Sequence, residues 1–210
     1  MEKVIKRHEK GFTDVKTKKG KIVTIPAFTR VKGESEKEGR TYFTVVDDLL
    51  NVKEKELSIV GSLSENIGEL DIKSDVEINY NRTSNNFIIS SNSEEIFRCK
   101  AKLEEDPKDP MPNGVYNVFL PDYYHKDYCE DYLSNSDFAC VWFRIAAGKG
   151  QNYIHVGEVS LGCVSVGPDK EDKDKWTKIY KILMGSRKGA KYVCTIEIMG
   201  VRVQSPNNSV

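Results

Sequence analysis

The stretch Tyr153-Ile-His-Val-Gly-Glu-Val-Ser-Leu-Gly-Cys-Val-Ser-Val166 decides how this chain is interpreted. It places a histidine and a cysteine eight residues apart in an apolar run that glycines interrupt. A strand carrying His155, a short connection and a return strand that starts at Cys163 bring the imidazole and the thiol within hydrogen-bonding distance. This arrangement suits a thiol nucleophile and its base, whereas a simple turn needs neither residue type.

Composition narrows the classes of function. The 210 residues contain 32 Lys and Arg against 32 Asp and Glu, so the formal net charge is zero and no global field attracts nucleic acid or an anionic membrane. No apolar run has the length of a membrane span, and Met1–Lys10 lacks the apolar core and cleavage site of a secretory signal. We expect a soluble protein, without nucleic-acid partners, that is cytoplasmic in the producing cell.

Cysteine usage predicts a reactive thiol rather than a disulfide framework. An odd number of cysteines indicates at least one free thiol, and we expect the four other than Cys163 to be buried and inert. A zinc site from Cys129, Cys140 and His125 is the alternative, but no closely paired cysteines support it, so we predict no metal and no cofactor. The five cysteines are Cys99, Cys129, Cys140, Cys163 and Cys194.

The first 75 residues predict a small β-rich module. Short β-prone runs, Lys21–Ile25, Thr41–Val46 and Leu57–Leu63, alternate with charged turns. The charged segment Val31–Arg40 contains two glycines and predicts an exposed hairpin loop. Nothing in this part gathers acids, histidines or glycines into a recognisable site, so residues 1–75 indicate no chemistry.

Residues 76–210 predict a second domain that is also mainly β. The predicted strands are Val76–Tyr80, Phe87–Ile89, Ile96–Ala101, Val115–Leu120, a buried strand at Ala139–Ala147, and Tyr192–Ile198. The tyrosine-rich segment Tyr123–Tyr132 has no clean period and predicts a long surface excursion, or lid. The one predicted helix is Lys175–Met184, whose large apolar side chains fall on one face.

Three motifs in this second part carry a resemblance to a known family. Pro112–Tyr116 opens a strand, Ile154 and His155 lie on a second strand, and Ser160–Cys163 forms a Ser-x-Gly-Cys turn. Together they resemble the catalytic domain of the L,D-transpeptidases, over roughly Val76 to Val203, and Trp176–Tyr180 fits the short helix that commonly follows the cysteine in that family.

The resemblance implies an L,D-transpeptidase-like β-sandwich with one short amphipathic helix, preceded by the β-rich module. It implies that Cys163 attacks the carbonyl of the third residue of a peptidoglycan stem peptide, with His155 as base and then acid. An amine then captures the acyl group in transpeptidation, or water captures it in carboxypeptidation. The sequence departs from the family where Leu161 replaces a second histidine and Ser165 replaces an arginine.

Further residues receive roles from the motif. We expect the backbone amides of Gly162 and Cys163 to face the oxyanion. We expect Ser160, Gly157 and Tyr153 to shape the site, with Ser160 ordering the turn.

Two arginines and one histidine are candidates for contacts with substrate. Since the family's usual arginine is absent, Arg144 or Arg187 is expected to hold a substrate carboxylate. We expect His125 to be exposed to solvent among the tyrosines, with contact to substrate as a substitute for the missing histidine as the alternative.

A second class of function stays open: a noncatalytic domain that binds a peptide or a partner on the same fold. The lack of an export signal also fits an antibacterial effector that reaches the cell wall through a specialised secretion machine or phage lysis. Such a protein would have an immunity partner, and residues 1–75 would serve delivery.

Overall fold

A computed structural model describes residues 3–6, 8–60, 67–68, 75–106, 108–148, 152–158, 160–167 and 174–201. These residues are mainly β with one α-helix, which confirms the predicted class. No helix among them is long and apolar enough to cross a membrane. In chain order the elements are β1 (Lys3–Ile5), β2 (Phe12–Thr17), β3 (Ile22–Pro26), β4 (Arg30–Lys37), β5 (Arg40–Val45), β6 (Glu56–Val60), β7 (Ile67–Gly68), β8 (Val76–Asn81), β9 (Asn86–Ser91), β10 (Glu94–Lys100), β11 (Lys102–Leu103), β12 (Gly114–Phe119), β13 (Phe143–Arg144), β14 (Tyr153–Val156), β15 (Val164–Val166), α1 (Lys175–Met184) and β16 (Tyr192–Met199).

The first seven strands form one antiparallel sheet in the order β3-β2-β6-β5-β4-β1-β7. The predicted strands at Lys21–Ile25 and Thr41–Val46 are confirmed, and Leu57 lies in β6, whereas the end predicted at Leu63 lies outside the described residues. The exposed hairpin predicted at Val31–Arg40 is present, but most of the segment is strand rather than loop, because β4 pairs with β5 up to a short turn at Glu38 and Gly39. Charged side chains are compatible with a strand whose face meets water.

The remaining strands form two sheets. The larger has the order β10-β9-β8-β16-β12, with β16 parallel to β8 and antiparallel to β12. The smaller has the order β11-β15-β14-β13 and carries the His-Cys stretch. Within it β14 and β15 are parallel, so the return strand predicted to start at Cys163 is wrong in direction.

The buried strand predicted at Ala139–Ala147 is also largely wrong. Only Phe143 and Arg144 form a strand, and the residues before them form tight turns, with backbone bonds such as Val141 N–H to the Phe138 carbonyl. The run is nevertheless buried. Apolarity alone reports burial, and it cannot separate a buried strand from a buried turn.

The predicted helix is confirmed as α1. Its apolar face buries Trp176, Tyr180 and Leu183, and Gly185 follows its last residue. The Tyr180 hydroxyl donates to the carbonyl of Ala27, so the helix is attached to the first sheet.

One apolar core continues from the first sheet into the rest of the chain. At their junction the fully buried Asp47 carboxylate accepts hydrogen bonds from Arg30 and Arg187. Arg187 is itself buried and also donates to the Phe28 carbonyl, so the alternative that Arg187 binds substrate is wrong. The domain boundary at residue 75 stays a prediction.

Candidate active site

The site is built on one face of the smallest sheet. Along β14 the side chains alternate, so that Tyr153 and His155 lie on one face while their apolar neighbours enter the main core. Cys163 and Ser165 alternate with valines in the same way. Because His155 is in register with Ser165, the two strands bring their polar side chains to the same face.

His155 has a defined hydrogen-bonding pattern. Its Nδ1 atom lies 2.9 Å from the Val156 carbonyl oxygen, which only accepts, so Nδ1 carries the proton. Nε2 is therefore the basic nitrogen. It lies 2.9 Å from Ser160 Oγ and 3.1 Å from Ser165 Oγ. The backbone thus presents His155 in the tautomer that a general base needs.

Ser160 lies close to both His155 and Cys163. Its hydroxyl lies 2.9 Å from His155 Nε2, and a hydrogen bond from its side chain lowers the pKa of Cys163. A hydroxyl can accept one proton while it donates another, so Ser160 forms a bridge from the sulfur to the imidazole. The sequence predicted that Ser160 would order the turn and that His155 would contact Cys163 directly. The bridging role was not anticipated.

Burial keeps both reactive groups neutral. His155 is 3% exposed and Cys163 is 4% exposed. Desolvation lowers the pKa of His155 to about 4, and it raises the pKa of Cys163 although the hydrogen bonds that the Ser160 side chain and the Tyr153 backbone would donate to a thiolate oppose the shift. At neutral pH the resting pair is therefore a thiol and an uncharged imidazole.

A stack of aromatic rings covers the imidazole. The ring centroids of Trp142 and His155 are 4.3 Å apart. On the other face of the indole, the His125 ring centroid lies 4.2 Å away, and the Tyr123 ring centroid lies a further 4.1 Å from that of His125. His125 is 4% exposed, so the interpretation of His125 as a surface residue is wrong. It stacks on the indole that covers His155 and also contacts the Tyr153 ring edge-on, with the ring centroids 5.0 Å apart.

The stack is fixed by a buried carboxylate. Asp122 Oδ1 lies 3.1 Å from His125 Nε2, and Asp122 Oδ2 accepts from the Tyr153 hydroxyl at 2.9 Å. Burial, followed by the Asp122 charge, raises the pKa of Tyr153. Tyr153 also packs with Trp142 and Cys163, which agrees with a site-shaping residue.

The two predicted oxyanion donors are engaged within the protein. Gly162 N–H donates to the Glu104 carbonyl at 2.7 Å, and Cys163 N–H donates to the Ser160 carbonyl at 3.1 Å. The oxyanion role therefore stays a prediction, and it requires that one of these bonds opens. Gly162 is needed for the turn itself, because it has φ +76° and a Cβ there would lie 2.8 Å from Asn152 Nδ2.

Gly157, predicted to shape the site, allows a close contact at the end of β14. A Cβ at this position would lie 2.9 Å from the Tyr132 ring. The Tyr132 hydroxyl accepts a hydrogen bond from Glu158 N–H, so the tyrosine-rich segment is held against the end of β14.

Arg144 lies beside the site. It is in register with Tyr153 across β13 and β14, which places the two side chains on the same face. Its guanidinium lies 5.6 Å from the centroid of the Phe119 ring. Within the described part of the chain, the buried Nε atom of Arg144 has no hydrogen-bond partner. This position fits the prediction that Arg144 meets an anionic group.

Cys129 and Cys140 form a disulfide, with their Cα atoms 4.9 Å apart. The prediction that both are inert thiols is wrong. The bridge also takes up both sulfur ligands of the alternative zinc site, and the described residues contain no group of three or more His, Cys, Asp or Glu placed to hold a metal. The backbone N–H of His125 donates to the Cys140 carbonyl, so the disulfide helps to fix the segment that carries Tyr123 and His125.

The sequence interpretation missed Ser165, Trp142 and Asp122. Period-two alternation of polar and apolar residues at 153–156 and 163–166 was a signal for Ser165. No local pattern indicated Trp142 or Asp122, because each lies far along the chain from Cys163.

No protein-family model and no curated protein matches this sequence. The structure is similar to Mycobacterium tuberculosis L,D-transpeptidase 1 with a TM-score of 0.39 and 15% identity, over 77% of this chain and 70% of that one. An L,D-transpeptidase from Mycobacterium smegmatis is similar with a TM-score of 0.38 and 12% identity, over 94% of this chain and 82% of that one. M. tuberculosis L,D-transpeptidase 3 is similar with a TM-score of 0.38 and 12% identity, over 82% of this chain and 99% of that one. These structural neighbours come from the family that the sequence motifs resemble, at a level of likeness too low to carry activity or residue roles to this chain.

Proposed function

We propose that this protein is a cysteine-dependent acyltransferase of the L,D-transpeptidase type, in which Cys163 is the nucleophile and His155 the base. The observation that carries the proposal is the hydroxyl of Ser160, which lies 2.9 Å from His155 Nε2 in the same turn that leads to Cys163, whose backbone N–H donates to the Ser160 carbonyl. Neutral reactants suit this chemistry, because proton transfer can accompany attack on a carbonyl without a buried ion pair in the resting state.

In the acylation half-reaction the sulfur forms a bond to the peptide carbonyl carbon. The Cys163 proton moves to Ser160 Oγ while the hydroxyl proton of Ser160 moves to His155 Nε2. The tetrahedral intermediate then breaks its C–N bond, and the leaving amine takes the proton from Nε2. The products are a thioester on Cys163 and a free amine.

In the second half-reaction an amine or water attacks the thioester carbonyl. His155 Nε2 takes the proton of the attacking group, the C–S bond breaks, and the proton returns through Ser160 to the Cys163 sulfur. Amine attack gives a new amide, and water gives a carboxylic acid. Both outcomes restore the resting thiol and neutral imidazole.

The proposed substrate is a peptidoglycan stem peptide. Arg144 supports this class, because it lies on the site's face and its buried Nε atom lacks a partner in the described residues. A stem peptide ends in a carboxylate close to the bond that would be cleaved, and a guanidinium is well suited to bind it.

Access to the thiol is expected beside Ser160. Ser160 is only partly buried and the next residue, Leu161, is 59% exposed. Trp142 and His125 close the other side. We propose that substrate enters past Leu161 and frees the Gly162 or Cys163 amide for the oxyanion.

The proposal is tested by incubating the purified protein and its Cys163→Ala variant with a stem tetrapeptide, with and without an amine acceptor. The parent should release the terminal D-amino acid, and the variant should not. Equal product from both proteins rejects catalysis by this thiol.

A second candidate is a noncatalytic peptide-binding domain, and the burial of both Cys163 and His155 favours it. Its expected result is binding of stem peptides by the parent and by Cys163→Ala with equal affinity and no product from either. Slow labelling of Cys163 by a thiol reagent at neutral pH would agree.

A cell-wall substrate places the working protein in the periplasm or wall, which fits an antibacterial effector exported by a specialised route and paired with an immunity protein. Culture fractionation tests this. All of the protein remaining in the cytoplasm of producing cells would contradict export.

A further inference from the structure

The Cys129–Cys140 disulfide joins two segments that differ in how they are attached to the core. The segment that leads to the second cysteine is anchored at Phe138. The Phe138 ring stacks on Tyr180 with the centroids 4.1 Å apart, and the Phe138 carbonyl accepts a hydrogen bond from the Trp176 indole. Both partners are fully buried side chains of α1, so this end of the bridge lies on the packed core.

The segment that contains the first cysteine is an excursion, Tyr123–Tyr132, whose side chains are mostly exposed. Its two helical pieces are 3₁₀ turns of three residues each. Hydrogen bonds between near neighbours, such as Tyr132 N–H to the Cys129 carbonyl, set the shape of such turns but not where they lie on the protein. The position of the excursion therefore depends on its contacts with the rest of the chain.

Beside the bridge lies the ring that covers His155. The His125 backbone N–H donates to the Cys140 carbonyl at 3.2 Å, and the His125 ring stacks on Trp142, whose indole covers His155. Trp142 follows Cys140 by two residues. Breaking the sulfur–sulfur bond would therefore loosen the chain at the hydrogen bond and the ring stack that hold the indole in place.

The excursion has two further attachments. The Tyr132 hydroxyl accepts from Glu158 N–H beside the end of β14, and the Tyr124 ring meets Phe12 of the first sheet edge-on. Neither of these contacts joins the excursion to the segment that carries Trp142. A covalent bridge restricts the separation of two such segments far more than one hydrogen bond or one ring contact does.

We propose that Cys129 and Cys140 form a redox switch that assembles the aromatic cover over Cys163. In a reducing compartment the chain carries two thiols and the cover is loose. A disulfide-bearing oxidant then exchanges with them. One cysteine thiolate attacks the oxidant to form a mixed disulfide, the other cysteine displaces it, and the oxidant leaves as a dithiol that takes up both protons.

The oxidised form is the working form. Cys129 and Cys140 are 1% and 0% exposed, so the folded cover protects the bond once it has formed. The effect of the switch on the cover does not require any chemistry at Cys163, whereas its effect on turnover rests on the proposed function. A loose cover admits water to His155 and disturbs the geometry of the base.

The test compares three proteins: the oxidised parent, the parent reduced with dithiothreitol in urea and refolded without oxygen, and the variant Cys129→Ser, Cys140→Ser. Alkylation of Cys163 at neutral pH, followed by peptide mapping, should be about tenfold faster in the last two than in the oxidised parent. Circular dichroism checks that all three fold. The matched control is the double variant taken through the same reduction, which should not change its rate because it has no bridge.

Cys194 is the internal control, because it is buried in β16 and should stay unlabelled in every form. Equal Cys163 rates in all three proteins, or labelling of Cys194 together with Cys163, would overturn the proposal, since the first means that the bridge does not hold the cover and the second that the whole domain opens. Turnover of a stem tetrapeptide should fall about tenfold without the bridge. Absence of product from every form would reject the proposed function, and the labelling rates would still decide the switch.

Discussion

The candidate active site and a surface cleft on the first sheet, which Lys16, Ile22 and Tyr124 line, differ most in their contact with water. His155 and Cys163 are almost fully buried beneath Trp142, whereas the cleft exposes Lys16 and Ile22. Burial makes the first region neutral and gives its hydrogen bonds strength in a medium of low polarity. Exposed side chains of the second keep their contact with water, which screens their charges. We therefore expect proton transfer chemistry in the dry region.

The two regions share a wall. Tyr124 and Lys126 line the cleft, while His125 between them packs on Trp142 over the site. The Cys129–Cys140 disulfide holds the segment that follows. Substitutions in one region should therefore leave the structure of the other unchanged, unless they displace the shared segment Tyr124–Lys126.

The largest expected effect comes from the base. His155→Gln should lower the rate of product formation by about 10²- to 10⁴-fold, because Nε2 can no longer take a proton. His125→Gln is the matched control, since the indole separates His125 from His155, and it should cost less than about tenfold. Initial rates with a stem tetrapeptide measure both. A larger loss in His125→Gln would identify His125 as the base instead.

Stability should depend on pH through His155. Burial lowers the pKa of His155 to about 4 in the folded protein, from the ordinary value of 6.5, so the unfolded chain binds the proton first as pH falls. The free energy of unfolding should drop by about 3 kcal/mol from this group between pH 7 and pH 4. Urea unfolding across this range measures the slope. His155→Gln should be less pH-dependent than the parent, and identical slopes would contradict the buried neutral imidazole.

The bridge predicts an intermediate effect. Ser160→Ala should slow turnover by about 10- to 100-fold, because the path from Cys163 to His155 loses its hydroxyl. Ser165→Ala removes the other hydroxyl beside Nε2, which the proposed proton path does not use, and should cost a few-fold at most. Rates in which Ser165→Ala is the slower variant would reverse the assignment.

The smallest expected effect comes from removing the indole that covers His155 and Cys163. Trp142→Leu should expose His155 and Cys163, raise the pKa of His155, and speed labelling of Cys163 several-fold. Buried Cys194 is the internal control and should stay unlabelled. Labelling that does not respond would mean that another group seals the thiol.

Local patterns predicted part of this fold well. The helix at Lys175–Met184 was predicted at its observed bounds, because its apolar residues recur with the 3.6-residue period of a helix and that period depends only on local sequence. Tyr192–Ile198 and Val76–Tyr80 also lie in the strands predicted for them. Alternation within a strand likewise depends only on neighbours in sequence.

The site was predicted less completely. The pairing of β14 and β15 depends on the path of the connecting chain, so its parallel direction could not be read from the residues. The burial of His125 depends on Trp142 and Asp122, which approach it only in the folded chain. The Cys129–Cys140 pairing similarly depends on turns that bring distant sulfurs together.

The most direct test of the central claim is intact-protein mass spectrometry after brief exposure to a stem tetrapeptide, followed by peptide mapping. A thioester on Cys163 that carries the donor acyl group, forming more slowly in Ser160→Ala and not at all in Cys163→Ala, is the predicted result. An unmodified Cys163 in a protein that releases the D-amino acid, or an adduct on another residue, would contradict it.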